Sequence, residues 1–238
     1  MEQPTRRSFA EQLDGLKQEL VKMAAFVESM LDRSVRALAD QDVKLAEQVI
    51  ADDDVADEMD LAIEQQCMHL LALQQPMARD LRTIGTVLKV ISDVERMGDY
   101  CVDIARAALT LADRPMYTEL VDIPRMCRLV ADMLRKALQA LVREDLDLVQ
   151  QVIDQDDAVD QIWYALQDQI IAVMQARPEV VPQAVYLLMV ARYLERIADH
   201  AVNVVERVHY MTTGRLEVLG RSHVATALTE NRGPEATG

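Results

Sequence analysis

Two short stretches put acidic side chains where an apolar helix face belongs. "DVERMGDYCVD" at 93–103 carries Glu95, Asp99 and Asp103 at i, i+4 and i+8. "YLERIADHAVN" at 193–203 carries Glu195, Asp199 and Asn203 at the same spacing. Residues four apart share one side of a helix. Around Glu195, the positions Ala184, Leu188, Ala191, Ala198, Val202 and Val205 step by four and three, and all are apolar. Ile84, Leu88, Ile91, Gly98 and Val102 do the same around Glu95. Each glutamate therefore interrupts a packed stripe, with Asp99 or Asp199 one turn later at its flank. A second acidic run lies upstream. Asp53, Asp57, Asp60 and Glu64 edge a core face of Ala56, Met59, Ile63, Cys67 and Leu70, and Asp156 and Asp160 repeat the first two.

An ionised carboxylate buried without a partner costs several kcal/mol. Three arrangements relieve that cost. Cations bind among the carboxylates; or Arg96, Arg106, Arg192, Arg196 and Arg207 pair with them; or the carboxyls stay protonated. Oxygen-only donor sets on helices suit hard or intermediate cations such as magnesium, manganese, iron or zinc. The acids outnumber the nearby arginines and the pattern occurs twice, which favours metal over an ion-pair network. Other chemistry is thinner. Glu206 and His209 form a single ExxH, whereas di-iron bundles use two such pairs with two further glutamates, and the first half has "RAAL" at the matching place. His200 reads as an outward-facing surface residue and Trp163 as a packing residue. No nucleophile–base pair, Gly-rich phosphate loop or nucleotide fingerprint is visible, so the expectation is a protein that is not an enzyme.

These faces need long helices to carry them. Half of the 238 residues are apolar, yet glycine and proline number seven each, a scarcity of breakers that argues for helices and against strands. The chain also repeats itself. Shifted by 103, Met30, Leu31, Asp53 and Asp57 recur as Met133, Leu134, Asp156 and Asp160; shifted by 100, Glu95, Arg96, Asp99 and Val102 recur as Glu195, Arg196, Asp199 and Val202. The predicted architecture is all-α: two tandem homologous three-helix bundles, six long antiparallel helices in all. The first half spans 8–113, with helices over about 8–40, 42–74 and 77–112. The second spans 118–214, with helices over about 119–143, 145–176 and 179–213. Gly214 fits a helix C-cap, and 221–238 reads as a disordered tail.

The formal net charge is −15; no basic stripe of the kind a nucleic-acid binder shows appears in the sequence, and the charge opposes an anionic membrane surface. No run of eighteen apolar residues and no apolar leader core is present, so no direct membrane insertion is expected and the location expected is cytoplasmic. Cys67, Cys101 and Cys127 are odd in number and lack CxxC spacing, as expected of small core residues in a reducing compartment. A helical acidic adaptor, with buried charges fixing register and no metal, is the rival functional class; a metal-dependent redox enzyme is the third.

The twin E-R-[MI]-[GA]-D segments resemble the E(D)xxxD motifs of the PhoU family. "LALQQPMARDLR" at 71–82, "RRSFAEQLDGLKQELVKMAAFVESML" at 6–31 and "VARYLERIADHAVNVVERVHYMTTG" at 190–214 are similar to that family's segments as well. The likeness runs from about Thr5 to Gly214. It implies two three-helix bundles, a homodimer, and multinuclear metal clusters at Glu95, Asp99, Asp103, Glu195, Asp199 and Asn203. Asp53, Asp57, Asp156 and Asp160 join this set on the face pattern alone. The resemblance also implies regulation without catalysis. The partners it implies are the ATPase subunit of a phosphate ABC transporter and a phosphate sensor histidine kinase, restrained when phosphate is plentiful. Arg79, Asp80 and Arg82 match the family's "RDLR", as a helix-start ion pair or a partner contact.

Overall fold

The computed structural model describes residues 4–74, 76–113 and 122–220. The expected linker from 114 and the tail at 221–238 lie outside the described residues. Among those described there is no strand. The helices are α1 (Pro4–Asp40), α2 (Val43–Ala51), α3 (Asp53–Gln74), α4 (Ala78–Leu111), α5 (Asp122–Arg143), α6 (Leu146–Ala176) and α7 (Val181–Thr213), with a 3₁₀ turn at Pro178–Val180 before α7. The second predicted helix is interrupted. Asp52 separates α2 from α3 while keeping the ladder nearly continuous, its N–H donating to the Gln48 carbonyl and its carbonyl accepting from Ala56. The Asp52 carboxylate is drawn sideways onto Arg33, 2.6 Å away.

The turns that start the middle helices repeat in detail. Gln41 (φ 54°) and Glu144 (φ 55°) both take the left-handed conformation, 103 residues apart. Each precedes an aspartate N-cap: Asp42 accepts from the Leu45 N–H, and Asp145 from those of Asp147 and Leu148. Such a cap contributes about 1 kcal/mol, which offsets the cost of a non-glycine residue in that region. Gly214 closes α7 at φ 75°, its N–H on the Tyr210 carbonyl, as the sequence predicts.

α4 and α7 lie along each other and α1 meets α5, so the two bundles share one core. Leu16, Leu20, Met23, Met30 and Leu31 of α1, Ile84, Met97 and Ile104 of α4, and Met126 of α5 are fully enclosed, each contributing roughly 1.5–3 kcal/mol by leaving water. Cys67, Cys101 and Cys127 are buried free thiols. The "RDLR" segment ties the halves together. Arg79 pairs with Glu144 at 2.8 Å, Lys17 reaches the same carboxylate at 3.4 Å, and Arg82 Nε donates to the Met211 carbonyl near the end of α7. A cation there also complements the helix dipole.

Candidate metal centre

In each half the last helix packs on the middle one, and the acidic columns converge. The first face gathers Asp53, Asp57 and Asp60 from α3 with Glu95 and Asp99 from α4. Glu95 is half-buried. Burial pushes its carboxyl up, and Asp99 close by pushes it further, more than Arg96 holds it down. Burial likewise raises Asp53, helped by Asp57 and Asp99, and raises Asp60, helped by Glu64 and Asp57. The second face gathers Asp156 and Asp160 from α6 with Glu195 and Asp199 from α7. Glu195 is 8% exposed. Burial foremost, then the neighbouring Asp199, pushes its carboxyl up to about 7 against the pull of Arg192 and Arg196. Asp156 also reaches about 7, through burial and then Asp160 and Asp199. The two faces are thus crowded with like charge in a poorly hydrated setting.

On these faces two buried oxygens, Asp60 Oδ1 and Glu195 Oε2, have no hydrogen-bond partner among the described residues, the Arg196 Nε standing off at 3.9 Å from the latter. Unsatisfied acceptors of this kind cost about 1–3 kcal/mol each, so both faces are short of positive charge or protons. Part of the deficit is met by arginine. Arg96 lies 2.8 Å from Asp99 and 3.5 Å from Glu95, Arg196 lies 3.0 Å from Asp199, and Arg192 donates to Glu195. As these side chains are placed, no three His, Cys, Asp or Glu groups among the described residues stand in a geometry that holds an ion. The donor chemistry nevertheless fits a hard cation, being all oxygen with orphaned acceptors, and the covering guanidiniums are substantially exposed.

The faces are not identical. Where the first half has Asp60, the second has Trp163, over whose ring the Arg192 guanidinium sits at 5.6 Å. Trp163 is therefore a packing residue, as expected, and one that positions an arginine. Gly98 is not required for clearance: a Cβ there would meet Val27 at 3.7 Å and Ala56 at 3.9 Å, ordinary contacts. Its counterpart is Ala198.

Asp103 and Asn203 go elsewhere. Asp103 pairs with Arg106 at 3.1 Å and lies near Tyr193, whose hydroxyl it helps push up after burial. Asn203 donates to Asp93 Oδ1 at 3.1 Å. Both belong to the seam between α4 and α7. His200 belongs there too, which corrects its reading as a surface residue: its Nδ1 lies 2.8 Å from Asp93 and its ring neighbours Tyr100, which stacks on Tyr193. The seam has local two-fold character, since 93 and 200 meet as 193 and 100 do. Sequence reasoning missed this cluster because the face that is outward for one bundle is inward for the pair. The Glu206–His209 pair is not a ligand set: Glu206 accepts the backbone N–H groups of Leu219 and Gly220 at 2.7 and 3.2 Å.

Comparison with known proteins fixes the lineage of the chain. A family profile described as the PhoU domain matches residues 20–108 and again residues 123–208. The chain belongs to the PhoU family. It is 37% identical over 213 residues to a protein of Aquifex aeolicus called phosphate-specific transport system accessory protein PhoU homolog, covering 90% of this chain and 96% of that one. A protein of the same description from Clostridium acetobutylicum is 36% identical over 212 residues, covering 89% and 97%. The fold superposes on the crystal structure of PhoU from Pseudomonas aeruginosa with a TM-score of 0.83 at 33% identity, covering 87% of this chain and all of that one. The phosphate transport system regulatory protein PhoU from Streptococcus pneumoniae gives 0.83 at 32%, over 89% and all. The family profile matches twice in tandem, once within each half of the internal repeat.

Proposed function

We propose that this chain regulates phosphate uptake and phosphate-starvation signalling by protein contact. Its partners in this reading are the ATPase subunit of a phosphate ABC transporter and a phosphate sensor histidine kinase in the cytoplasm, with the kinase restrained when phosphate is plentiful. The observation that carries the reading is the family match across both halves, with relatives named as accessory proteins of phosphate-specific transport. A body of long acidic helices suits action by contact rather than turnover, since its charge favours basic patches and speeds encounter with them. No helix among the described residues is long and apolar enough to cross a membrane, so a peripheral association fits.

Cations at the two acidic faces belong to the same proposal. Asp53, Asp57, Glu95 and Asp99 would hold one set and Asp156, Asp160, Glu195 and Asp199 the other, with iron, manganese, magnesium or zinc as candidates. The orphaned oxygens and raised carboxyls support this. A bound cation would supply the positive charge that the faces lack, and the chain's own arginines would swing to solvent. A homodimer completes the proposal, and sedimentation tests it.

The deciding experiment is a starvation-promoter reporter in a strain lacking this protein, grown in high phosphate, with a pull-down of the ATPase and kinase at low salt. The reporter is expected to stay on and at least one partner to be recovered. A silent reporter with neither partner recovered would return the chain to the class of acidic adaptor with no phosphate role.

A further inference from the structure

A groove runs along the outer face of the first bundle, between α1 and α3. It consists of two adjoining cavities of about 580 and 240 Å³ that share Glu19, Ala62 and Gln66. On the α3 side it extends from Val55 to Leu70, about four turns and roughly 22 Å at the rise of an α-helix. Its floor is apolar, with Met59, Ala62, Ile63 and Leu70. Glu19, which pairs with Lys22 at 2.7 Å, stands on one wall and Glu58 on the other, and among the described residues no lysine or arginine lines either cavity.

Gly15 opens the groove from the α1 side. It is exposed in the middle of a long helix, and a Cβ built there meets nothing within 4 Å. A glycine inside a helix costs about 0.5–1 kcal/mol relative to alanine. Neither a positive φ nor a close neighbour within the chain calls for it. What the missing side chain leaves is room in the larger cavity.

We propose that this groove is a docking site for an amphipathic helix of a partner protein, with apolar residues at i, i+3, i+4 and i+7 and lysine or arginine along its flanks. Length selects a helix of four to five turns. The apolar floor selects a one-sided stripe, and the acidic walls select basic flanks, Glu58 above all because Lys22 already meets Glu19, as in other helix-in-groove recognition. The site shares α3 with Asp53, Asp57 and Asp60 of the candidate metal centre, but none of these carboxylates lines either cavity, and it does not depend on the phosphate reading.

Fluorescence anisotropy on the full-length protein tests this. The probe is a labelled synthetic helix of about eighteen residues with leucine at those positions and lysine at the rest. Its controls are a peptide of equal composition with the leucines permuted, and a glutamate-for-lysine twin. The patterned lysine peptide should bind at least tenfold more tightly than either control. Gly15→Leu, which fills the groove and favours the helix, should bind it at least tenfold more weakly while melting no lower than wild type. Glu58→Lys should weaken binding further at low salt than at high salt. Equal binding by Gly15→Leu would place the peptide elsewhere on the acidic surface and overturn the proposal, as would no binding. A photo-crosslinking residue at Gln66 identifies the native occupant. Capture of a basic helical segment of another protein supports the proposal; capture of a second copy, or of residues 221–238 of the same chain, overturns it.

Discussion

With no metal bound, the protein should lose stability as pH rises from about 4.5 to about 7, and Glu195 should be a principal cause. Its carboxyl sits at about 7 in the folded state against an ordinary glutamate value of about 4.3–4.5. The neutral acid is therefore the form that the fold prefers. Its contribution to stability is complete below about pH 4.5 and is lost as pH climbs through about 7. The gap of about two and a half pH units, at about 1.36 kcal/mol each, corresponds to about 3 kcal/mol lost by pH 8. The groups facing it are Asp199, Arg192 and Arg196 on α7 and Asp156 and Asp160 on α6. Because Asp156 titrates in the same range, the two share the loss rather than each adding its own. The assay is urea unfolding of chelator-treated protein at half-unit steps from pH 5 to 8, for wild type and Glu195→Gln. The amide cannot ionise, so its curve should fall less steeply by up to about 3 kcal/mol across that range, whatever constant offset the lost arginine contacts introduce. Parallel curves would mean that Glu195 ionises at an ordinary value and that the arginines satisfy it. The explanation of the acidic face would then reduce to an ion-pair network.

Metal should raise the melting temperature and chelation lower it: a cation at a hundredfold excess over its dissociation constant contributes about 2.7 kcal/mol. A Glu95→Ala, Glu195→Ala variant should lose that response, and identical melts with EDTA and with each metal would end the metal proposal. Gly98→Ala should stabilise the fold by about 0.5–1 kcal/mol in urea, since its Cβ meets only ordinary contacts and the helix gains propensity; destabilisation would show that the Val27 and Ala56 contacts are tighter than the structure has them. Gly220→Ala would bring a Cβ to 2.5 Å from Val202 Cγ1, so hydrogen exchange at Leu219 and Gly220 should speed up while the global unfolding free energy changes little; unchanged protection would refute the seating of that segment. Burial pushes the Cys67 and Cys127 thiols up to about 12, so neither should react with a thiol reagent at pH 8 until the protein unfolds, and a fast phase in native buffer would contradict their enclosure.

Helix periodicity and the internal repeat made the six-helix plan legible, because apolar spacing and turn chemistry act locally. The convergence of Asp53 and Asp57 with Glu95 and Asp99, and of their counterparts, was legible for the same reason: neighbours in an antiparallel bundle must meet. The third member of each column was not. At 100° per residue a step of four turns the side chain by about 40°, and a step of eight by about 80°. Asp99 and Asp199 therefore stay with the glutamates, while Asp103 and Asn203 rotate onto the α4–α7 seam. The interruption at Asp52 depends on Arg33, a partner on another helix, and the pairing of Asp93 with His200 depends on how two bundles dock. Neither leaves a periodic trace. Glu206, fixed by the backbone of residues 219 and 220, looked like half of a metal motif because spacing alone does not reveal what an acceptor receives.

The near two-fold relation across α4 and α7 has a consequence for assembly. Positions 93 with 200 and 193 with 100 meet as equivalent points do in an isologous dimer, but here both subunits are written into one polypeptide. Each half alone would leave one side of its last helix bare, with Val90, Met97, Ile104 or Val190, Ile197, Val204 among the residues that are fully enclosed in the whole chain. Two separate half-chains would have to find each other, and their pairing would fail on dilution. Joined end to end, each half meets its counterpart at an effective concentration set by the connecting segment rather than by expression level. Fusion also releases the two copies from identity. One can keep an aspartate where the other acquires a tryptophan, so two sites of common ancestry can differ in a single molecule at a fixed one-to-one ratio.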